Sequence, residues 1–451
     1  MSTPFFSWHG VGRVTVVAFL LNGCAGGLNW PGGGGQPATT GATTPSGQAA
    51  PATPPQPTAG TSRGAGAAPT PTGPATASAP ATGAPAGPPV LAYDEAVLSA
   101  ATGLMKAAPP PAGGERRPVV IDPLIDGMTG AQTHATRSMG ERLAALIRAQ
   151  YPQFEVLPFS AANVARNPLV LIGTFTGVNA QRQTAGARES YRICLALADL
   201  RSGKLVSKGL AFARPEGVDP TPLATFRDAP AWTEDPATLG YIRTCQGTRA
   251  GDPINPLYAE RILAAAIVAE AIDAYDAGRY QQALALYTSA LRSGGGDQFR
   301  VYNGLYLANW KLGRRDRAEM AFNQIVDHGL AHQRLGVKFL FRPGSTALVS
   351  DGRLAAPYPL WLKSIASRAA SRSSCLEVTG HTSASGPEPL NERLSLLRAE
   401  HVKSLLESQA PALAKRAIAS GAGSRQMMVG TGRDDDSDAI DRRVEFKVIG
   451  C

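Results

Sequence analysis

The sequence predicts a multidomain chain: an α/β domain toward the N-terminus, a block of α-helical repeats, and a second α/β domain of order β-α-β-α-β-β at the C-terminus. Three observations point there. The 451 residues are too many for one ordinary domain, and the 49 Gly and 36 Pro are too unevenly spread for a single fold. Two stretches in the middle repeat at a 35-residue offset. After them, strand-like and helix-like hydrophobic spacing alternate again up to the end.

At the N-terminus, Arg13 precedes the apolar run "VTVVAFLL", long enough for the core of a signal peptide and far too short to span a bilayer. "LNGC" follows. Leu21, Gly23 and Cys24 resemble the bacterial lipobox, with Asn22 as a departure from its usual small residue. The alternative reading is an ordinary apolar N-terminal helix. The resemblance implies that residues 1–23 are removed and that Cys24 is acylated into a lipid bilayer. Two or more acyl chains hold stably, at ~0.8 kcal/mol per buried CH₂. Ala25 follows where inner-membrane lipoproteins carry Asp, which implies the periplasmic face of the outer membrane.

From Cys24 to residue 90 the chain is Pro, Ala, Thr and Gly, with Arg63 as its one charge beyond the cysteine. Such a composition buries too little apolar surface to offset the entropy of ordering, so a disordered tether is expected. Fully polyproline-like, it would reach on the order of 200 Å at ~3.1 Å per residue.

Lys and Arg number 44 against 35 Asp and Glu, a formal charge of +9 that gathers into no basic run. A dedicated nucleic-acid binder would show a basic stripe with interleaved aromatics. Besides Cys24 there are four cysteines, an even number that suits an oxidising compartment. Pairing Cys194 with Cys245 and Cys375 with Cys451 keeps each bridge inside one module. Two other pairings and four free thiols stay open.

The first folded module is expected over 91–255. "RPVVIDPLIDG", "FEVLPF" and "PLVLIGTFTGV" read as strands, and "THATRSMGERLAALIRAQY" has helical spacing through Met139, Leu143, Leu146 and Ile147. "YRICLALADLRSGKLVSKG" reads as two strands joined at Arg201–Lys204, where Gly203 supplies the turn. "RSGK" lacks the upstream Gly and following helix of a phosphate-binding loop. The order of elements resembles the small α/β domain of periplasmic lipoproteins that assist envelope assembly, such as the curli-secretion and penicillin-binding-protein-activator groups. The likeness implies an unidentified envelope-protein partner and no more.

In the block 256–332, Gly278 recurs as Gly313, Ala283 as Ala318, Tyr287 as Phe322 and Ala290 as Ile325. Period and residue types resemble tetratricopeptide repeats, in which small residues let paired helices approach and an aromatic fills the gap. The helix expected at "PLYAERILAAAIVAEA" would cap two such repeats. His328 and His332 stand four apart without a third ligand, which reads as a solvated helix end and not as a metal site.

The last module, 333–451, opens with "VKFLFRPGSTAL" as strand and loop. "PLWLKSIASRAASR" reads as a helix and "CLEVTGHT" as a strand, followed by a helix over "NERLSLLRAEHV", with "QMMVGTG" and "RRVEFKVIG" as two further strands. Leu390, Leu394 and Leu397 form an apolar stripe on that second helix, with Asn391, Ser395 and Arg398 beside it. A planar guanidinium flanked by an amide and a hydroxyl suits a carboxylate.

"GHTSASG", "NERLSLLRAEHV" and "DRRVE" resemble the family pattern GHTDxxG, NxxLSxxRAxxV and NRRVE of the OmpA-like C-terminal domain, a fold that binds peptidoglycan without cutting it. The resemblance implies that Arg398 grips the diaminopimelate carboxylate of a stem peptide. Thr382, Ser383, Asn391 and Ser395 would stand around it, with Phe341 and Arg442 completing the site. Ser383 occupies the position of the family Asp that receives the diaminopimelate ammonium, and Asp441 that of the family Asn. A serine cannot offset an ammonium charge. Glu388 in the same loop, or the acidic run Asp434 to Asp436, could supply the missing carboxylate. His381 belongs to the family's strand end, and no GxSxG elbow accompanies it.

The sequence therefore predicts a non-enzymatic outer-membrane lipoprotein that needs no cofactor. It would hold peptidoglycan through its last module and recruit proteins through the others. The alternative is an accessory subunit of a secretion or surface-structure complex, whose last module has lost or altered that binding.

Overall fold

The computed structural model describes residues 87–110, 115–372 and 374–451. Cys24, the leader and nearly all of the tether lie outside the described residues. Among the described residues, no helix is long and apolar enough to cross a membrane.

The chain enters through a two-residue strand β1 (Val90–Leu91) and helix α1 (Tyr93–Ala107). There follow β2 (Arg117–Ile121), β3 (Ile125–Asp126), α2 (His134–Gln150), β4 (Phe154–Leu157), the single turn α3 (Ala161–Val164) and β5 (Leu169–Val178). The hairpin β6 (Ser190–Asp199) and β7 (Lys204–Ala213) turns at Arg201–Gly203. These strands form a seven-stranded mixed sheet ordered β1-β7-β6-β5-β2-β4, with β3 also beside β5. Alternation along β5 explains its continuous apolar sequence: Leu169, Leu171 and Phe175 enter one core, Val170 and Ile172 the opposite one. Helices α1 and α2 cover the first face. Thr133 and Thr136 start α2 by exchanging backbone N–H bonds of 3.1 and 2.8 Å.

Next come α4 (Ala224–Asp228), β8 (Ala231–Trp232), α5 (Pro236–Cys245) and α6 (Pro256–Ala259). Then α7 (Ile262–Asp276), α8 (Tyr280–Arg292), α9 (Phe299–Lys311) and α10 (Arg315–Ala331) make two helix–turn–helix pairs. The turns within the pairs reach positive φ at Gly278 (75°) and Gly313 (74°), a conformation that costs Gly little. The repeated positions Ala283 and Ala318, Tyr287 and Phe322, and Ala290 and Ile325 are all fully buried.

The C-terminal part contains β9 (Arg334–Val337), α11 (Gly352–Ala355), α12 (Tyr358–Ser371), β10 (Cys375–Gly380), α13 (Glu388–Gln409), β11 (Ala417–Gly421) and β12 (Val444–Ile449). Its five-stranded sheet runs β11-β10-β12-β9-β8. The edge strand β8 is thus contributed from residues 231–232, within the stretch read as the first module. One core continues from α7–α10 into α12, β10, α13 and β12. Trp361 joins the parts: its indole N–H donates to Tyr306 Oη at 2.9 Å, and its ring stacks on Phe322 at 5.7 Å. Arg372 reinforces the seam with a 3.1 Å ion pair to Asp327.

Two strand expectations are corrected. "QMMVGTG" is not a strand: the Asp441 carboxylate takes the consecutive N–H groups of Met428, Val429 and Gly430 at 2.6, 3.0 and 2.7 Å and withdraws them from any ladder. Its place is taken by β11, parallel to β10. "VKFLF" contributes only its first residue to β9; Lys338 N–H turns to Pro230 O, and Phe341 keeps a single bridge to Leu348.

The structure joins Cys375 to Cys451, with Cα atoms 5.3 Å apart. Cys194 and Cys245 stand unjoined and buried, with their Sγ atoms 2.7 Å apart.

Candidate functional site

Helix α13 is rich in Leu, Glu, Arg and Lys, residues that lose little side-chain freedom in a helix. Ala399, Val402 and Leu406 face the core. Its first half crosses the ends of β10 and β11 at backbone distance. A Cβ on Gly380 would lie 2.0 Å from Ser395 O, and one on Gly421 2.6 Å from Glu392 O, so the glycines permit this approach. The helix thereby reaches the polar turn His381-Thr382-Ser383 that leaves β10.

The outcome inverts the helix's expected polarity. Asn391, Ser395 and Arg398 are buried, while Leu390 is 65% and Leu397 39% exposed. The leucines, with Leu340, Phe341, Pro343 and Val349, form the apolar wall of a groove of about 680 Å³. Thr382, Ser383, Asn391, Arg398, Asp434 and Arg442 supply its polar side.

Arg398 is fixed by the loop after β9. Its Nε–H donates to Ser345 O at 3.1 Å and Nη2 to Arg342 O at 3.4 Å, and the guanidinium lies 4.8 Å from the Phe341 ring centre. Three further N–H bonds have no acceptor among the described residues, so a pre-oriented donor edge borders the groove. Burial pushes its pKa down and Asp434 opposes the shift; an Arg remains cationic.

Ser383 Oγ donates to Asp434 Oδ1 at 2.8 Å. Asp434 adopts φ +57°, and its backbone N–H bonds Asp438 Oδ2 at 3.1 Å. Arg442 bridges Asp434 and buried Asp438 at 2.8 and 2.6 Å. The Thr382 hydroxyl is buried without a hydrogen-bond partner among the described residues. Beneath the turn, Glu445 receives Arg334 at 3.0 and 2.9 Å and Arg443 Nε at 2.7 Å. Burial raises the Glu445 carboxyl's pKa, but His381, Arg443 and Arg334 outweigh it and hold the group well below the usual range. For His381 burial dominates and lowers the imidazole's pKa.

Two expected site residues are corrected. Glu388 turns away from the groove to accept the Ser424 N–H at 3.2 Å and to pair with Arg425 at 3.4 Å. Ser395 is sealed inside: its hydroxyl donates to Glu392 O at 2.7 Å and accepts from Gly423 N at 3.0 Å. Asn391 does border the groove and donates to Gly386 O at 3.3 Å. The groove's apolar wall was missed; its signal was a leucine stripe that runs alongside, and not opposite, the polar residues. At the far end of the helical block, His332 Nδ1 contacts His328 O at 2.9 Å. Among the described residues no group of three or more potential ligands could hold a metal ion.

Residues 340–441 match the model of the OmpA family. No curated protein matches the chain. Among solved structures, the cell wall anchor of the T6SS from Pseudomonas aeruginosa is 24% identical, with 28% of this chain and 94% of that one covered and a TM-score of 0.22. The peptidoglycan-associated lipoprotein from Burkholderia pseudomallei is 22% identical, covering 27% and 93%, TM-score 0.22. An outer membrane protein from Borrelia burgdorferi is 21% identical, covering 26% and 88%, TM-score 0.21. The three sequence motifs, the order of strands and helices around α13 and the family match agree: the segment 340–441 of this chain is an OmpA-like domain.

Proposed function

We propose that the protein binds peptidoglycan non-covalently in the groove beside α13, as the OmpA-like domain suggests. The observation that carries this reading is that Arg398 and Asp434 border one groove, a cationic fork and a carboxylate offered to one zwitterionic ligand. Arg398 takes the diaminopimelate carboxylate through its unpaired N–H edge. Asp434, oriented by Ser383 and Arg442, takes the ammonium that the family's missing Asp would have received. Phe341 and the leucine wall pack against the aliphatic chain between those charges. Thr382, Asn391 and Arg442 border the same site. Cys24, acylated, anchors the other end of the chain to the outer membrane, and the helical pairs, read as tetratricopeptide-like, present surfaces to envelope proteins together with the N-terminal α/β domain.

Sedimentation with purified sacculi tests this. The full chain co-sediments, and Arg398→Ala abolishes co-sedimentation while leaving the circular dichroism spectrum unchanged. A second reading has one observation in its favour: Asp434 is already paired with Arg442. In that reading the domain docks the protein into a secretion or surface-structure assembly, and the wild-type chain does not sediment.

A further inference from the structure

Asp434, the carboxylate of the groove, is carried on a loop with little stiffness of its own. Between 427 and 434 the chain holds Gly430 and Gly432 at φ 69° and 67°, and Asp434 itself is left-handed at 57°. Its N–H groups go to side chains. Those of Met428, Val429 and Gly430 bond Asp441, and that of Asp434 bonds Asp438. A segment held by so few bonds opens readily unless something packs on it.

What packs on it comes from the N-terminal α/β domain. Arg188, in the loop 179–189 between β5 and β6, reaches across: its Nη2 donates to Met427 O at 3.4 Å, and its Nη1 to Gly186 O in its own loop at 3.2 Å. The stem lies flush on the backbone of Gly430, where a Cβ would come within 3.3 Å of Arg188 Cγ and Nε. Nε is shut off from water, without an acceptor among the described residues, so the side chain is packed and not draped over the surface. Burial lowers the guanidinium's pKa, while Asp441 and Asp126, one from each domain, favour the cation. Further along, Asp436, Ala439 and Ile440 line one cavity with Tyr191 and Pro222. The loop is thus backed by the other domain on more than one side chain.

We propose that Arg188 is a positioning residue for the groove: through it the N-terminal domain holds the loop 427–434 in the shape that presents Asp434. Affinity for peptidoglycan is then set partly from outside the OmpA-like domain, an inference that rests on the groove being the peptidoglycan site. A carboxylate at the strand end, at position 383, would need no such prop.

Hydrogen exchange in the full chain reads the loop directly, with or without sacculi. In Arg188→Ala the amides of 428–434 exchange several-fold faster, while those of β10 and α13 keep their rates. Unchanged exchange in the loop, or faster exchange throughout the C-terminal part, overturns the proposal. Sedimentation supplies a readout that a merely structural role would not move. Arg188→Ala weakens binding to sacculi by up to about tenfold, the most that losing the Asp434 charge would cause, and has no effect in the Ser383→Asp, Asp434→Asn background. No loss in the wild-type background, or an equal loss in both, overturns the proposal. If the wild-type chain does not sediment at all, the peptidoglycan reading falls, and the exchange rates alone decide whether Arg188 holds the loop.

Discussion

The Ser383 hydroxyl donates a 2.8 Å hydrogen bond to Asp434, fifty-one residues further along the chain. The side chain that stands where the OmpA-like motif has its carboxylate is therefore backed by a carboxylate from another loop. Asp434→Asn is expected to weaken binding to sacculi about tenfold, since a charged hydrogen bond contributes ~1.5 to 3 kcal/mol against ~1 for a neutral one. The double variant Ser383→Asp with Asp434→Asn returns the charge to the strand end and recovers affinity. Arg442 keeps Asp438 as its partner in both. Failure of the double variant to recover would count against a relocated carboxylate.

Glu388→Gln leaves sacculus binding unchanged, because that carboxylate serves the Ser424–Arg425 turn outside the groove. Its side chain is 37% exposed, so the loss of stability stays below about 1 kcal/mol in a urea titration. A tenfold fall in binding would restore Glu388 to the site.

Buried Asp122 receives the Tyr258 hydroxyl at 2.7 Å, and burial pushes its pKa from 3.8 up to about 7. The sign follows from proton uptake: between those values the folded state holds a proton that the unfolded state has lost. Stability contributed by this group is therefore intact below pH 4 and declines as pH rises toward 7, by on the order of 4 kcal/mol in all. Asp122→Asn flattens that decline. Urea titrations of both proteins at pH 5 and pH 8 measure it, and an equal pH response in the variant refutes the assignment.

Cys194 and Cys245 meet across the β6–α5 contact, with Lys208 Nζ 3.7 Å from Cys194 Sγ. The hydrogen bond from Cys245, against the push of burial and with Lys208 nearby, lowers the Cys194 thiol's pKa. In an oxidising compartment the pair closes to a second disulfide, which by loop length stabilises by up to about 4 kcal/mol. Thiol titration of the denatured protein after export should find neither cysteine free. Cys245→Ser then lowers the melting temperature only under non-reducing conditions.

Trp361→Ala costs about 3 to 5 kcal/mol, because it empties the seam shared with Tyr306 and Phe322. For the same reason the fragment 333–451, expressed alone, lacks β8 and the Tyr306 and Phe322 rings that pack on Trp361. It melts below the fragment 225–451, as differential scanning calorimetry would show.

Much of this was legible locally. Apolar runs and the Gly203 turn located β5, β6 and β7, and helical spacing located α2 and α12. Those signals are carried by residues a few positions apart, and the glycine, alanine and aromatic pattern recurring at a 35-residue offset located the two helical pairs. The motif around Arg398 identified the OmpA-like segment. Where local signals misled, backbone hydrogen bonds had partners elsewhere in the chain: "QMMVGTG" looks like a strand, yet Asp441 claims its N–H groups.

By itself, then, the sequence determined the class of the elements, the pair of repeats and the position of Arg398 on a long helix. Tertiary structure alone decided that β8 crosses over to complete the last sheet, that one core fuses helical pairs and OmpA-like domain, and that Asp434, not Glu388, stands beside Ser383. Those outcomes depend on contacts between residues tens to more than a hundred positions apart. Which side chains meet there is set by how packed layers fit together, a property no local window contains.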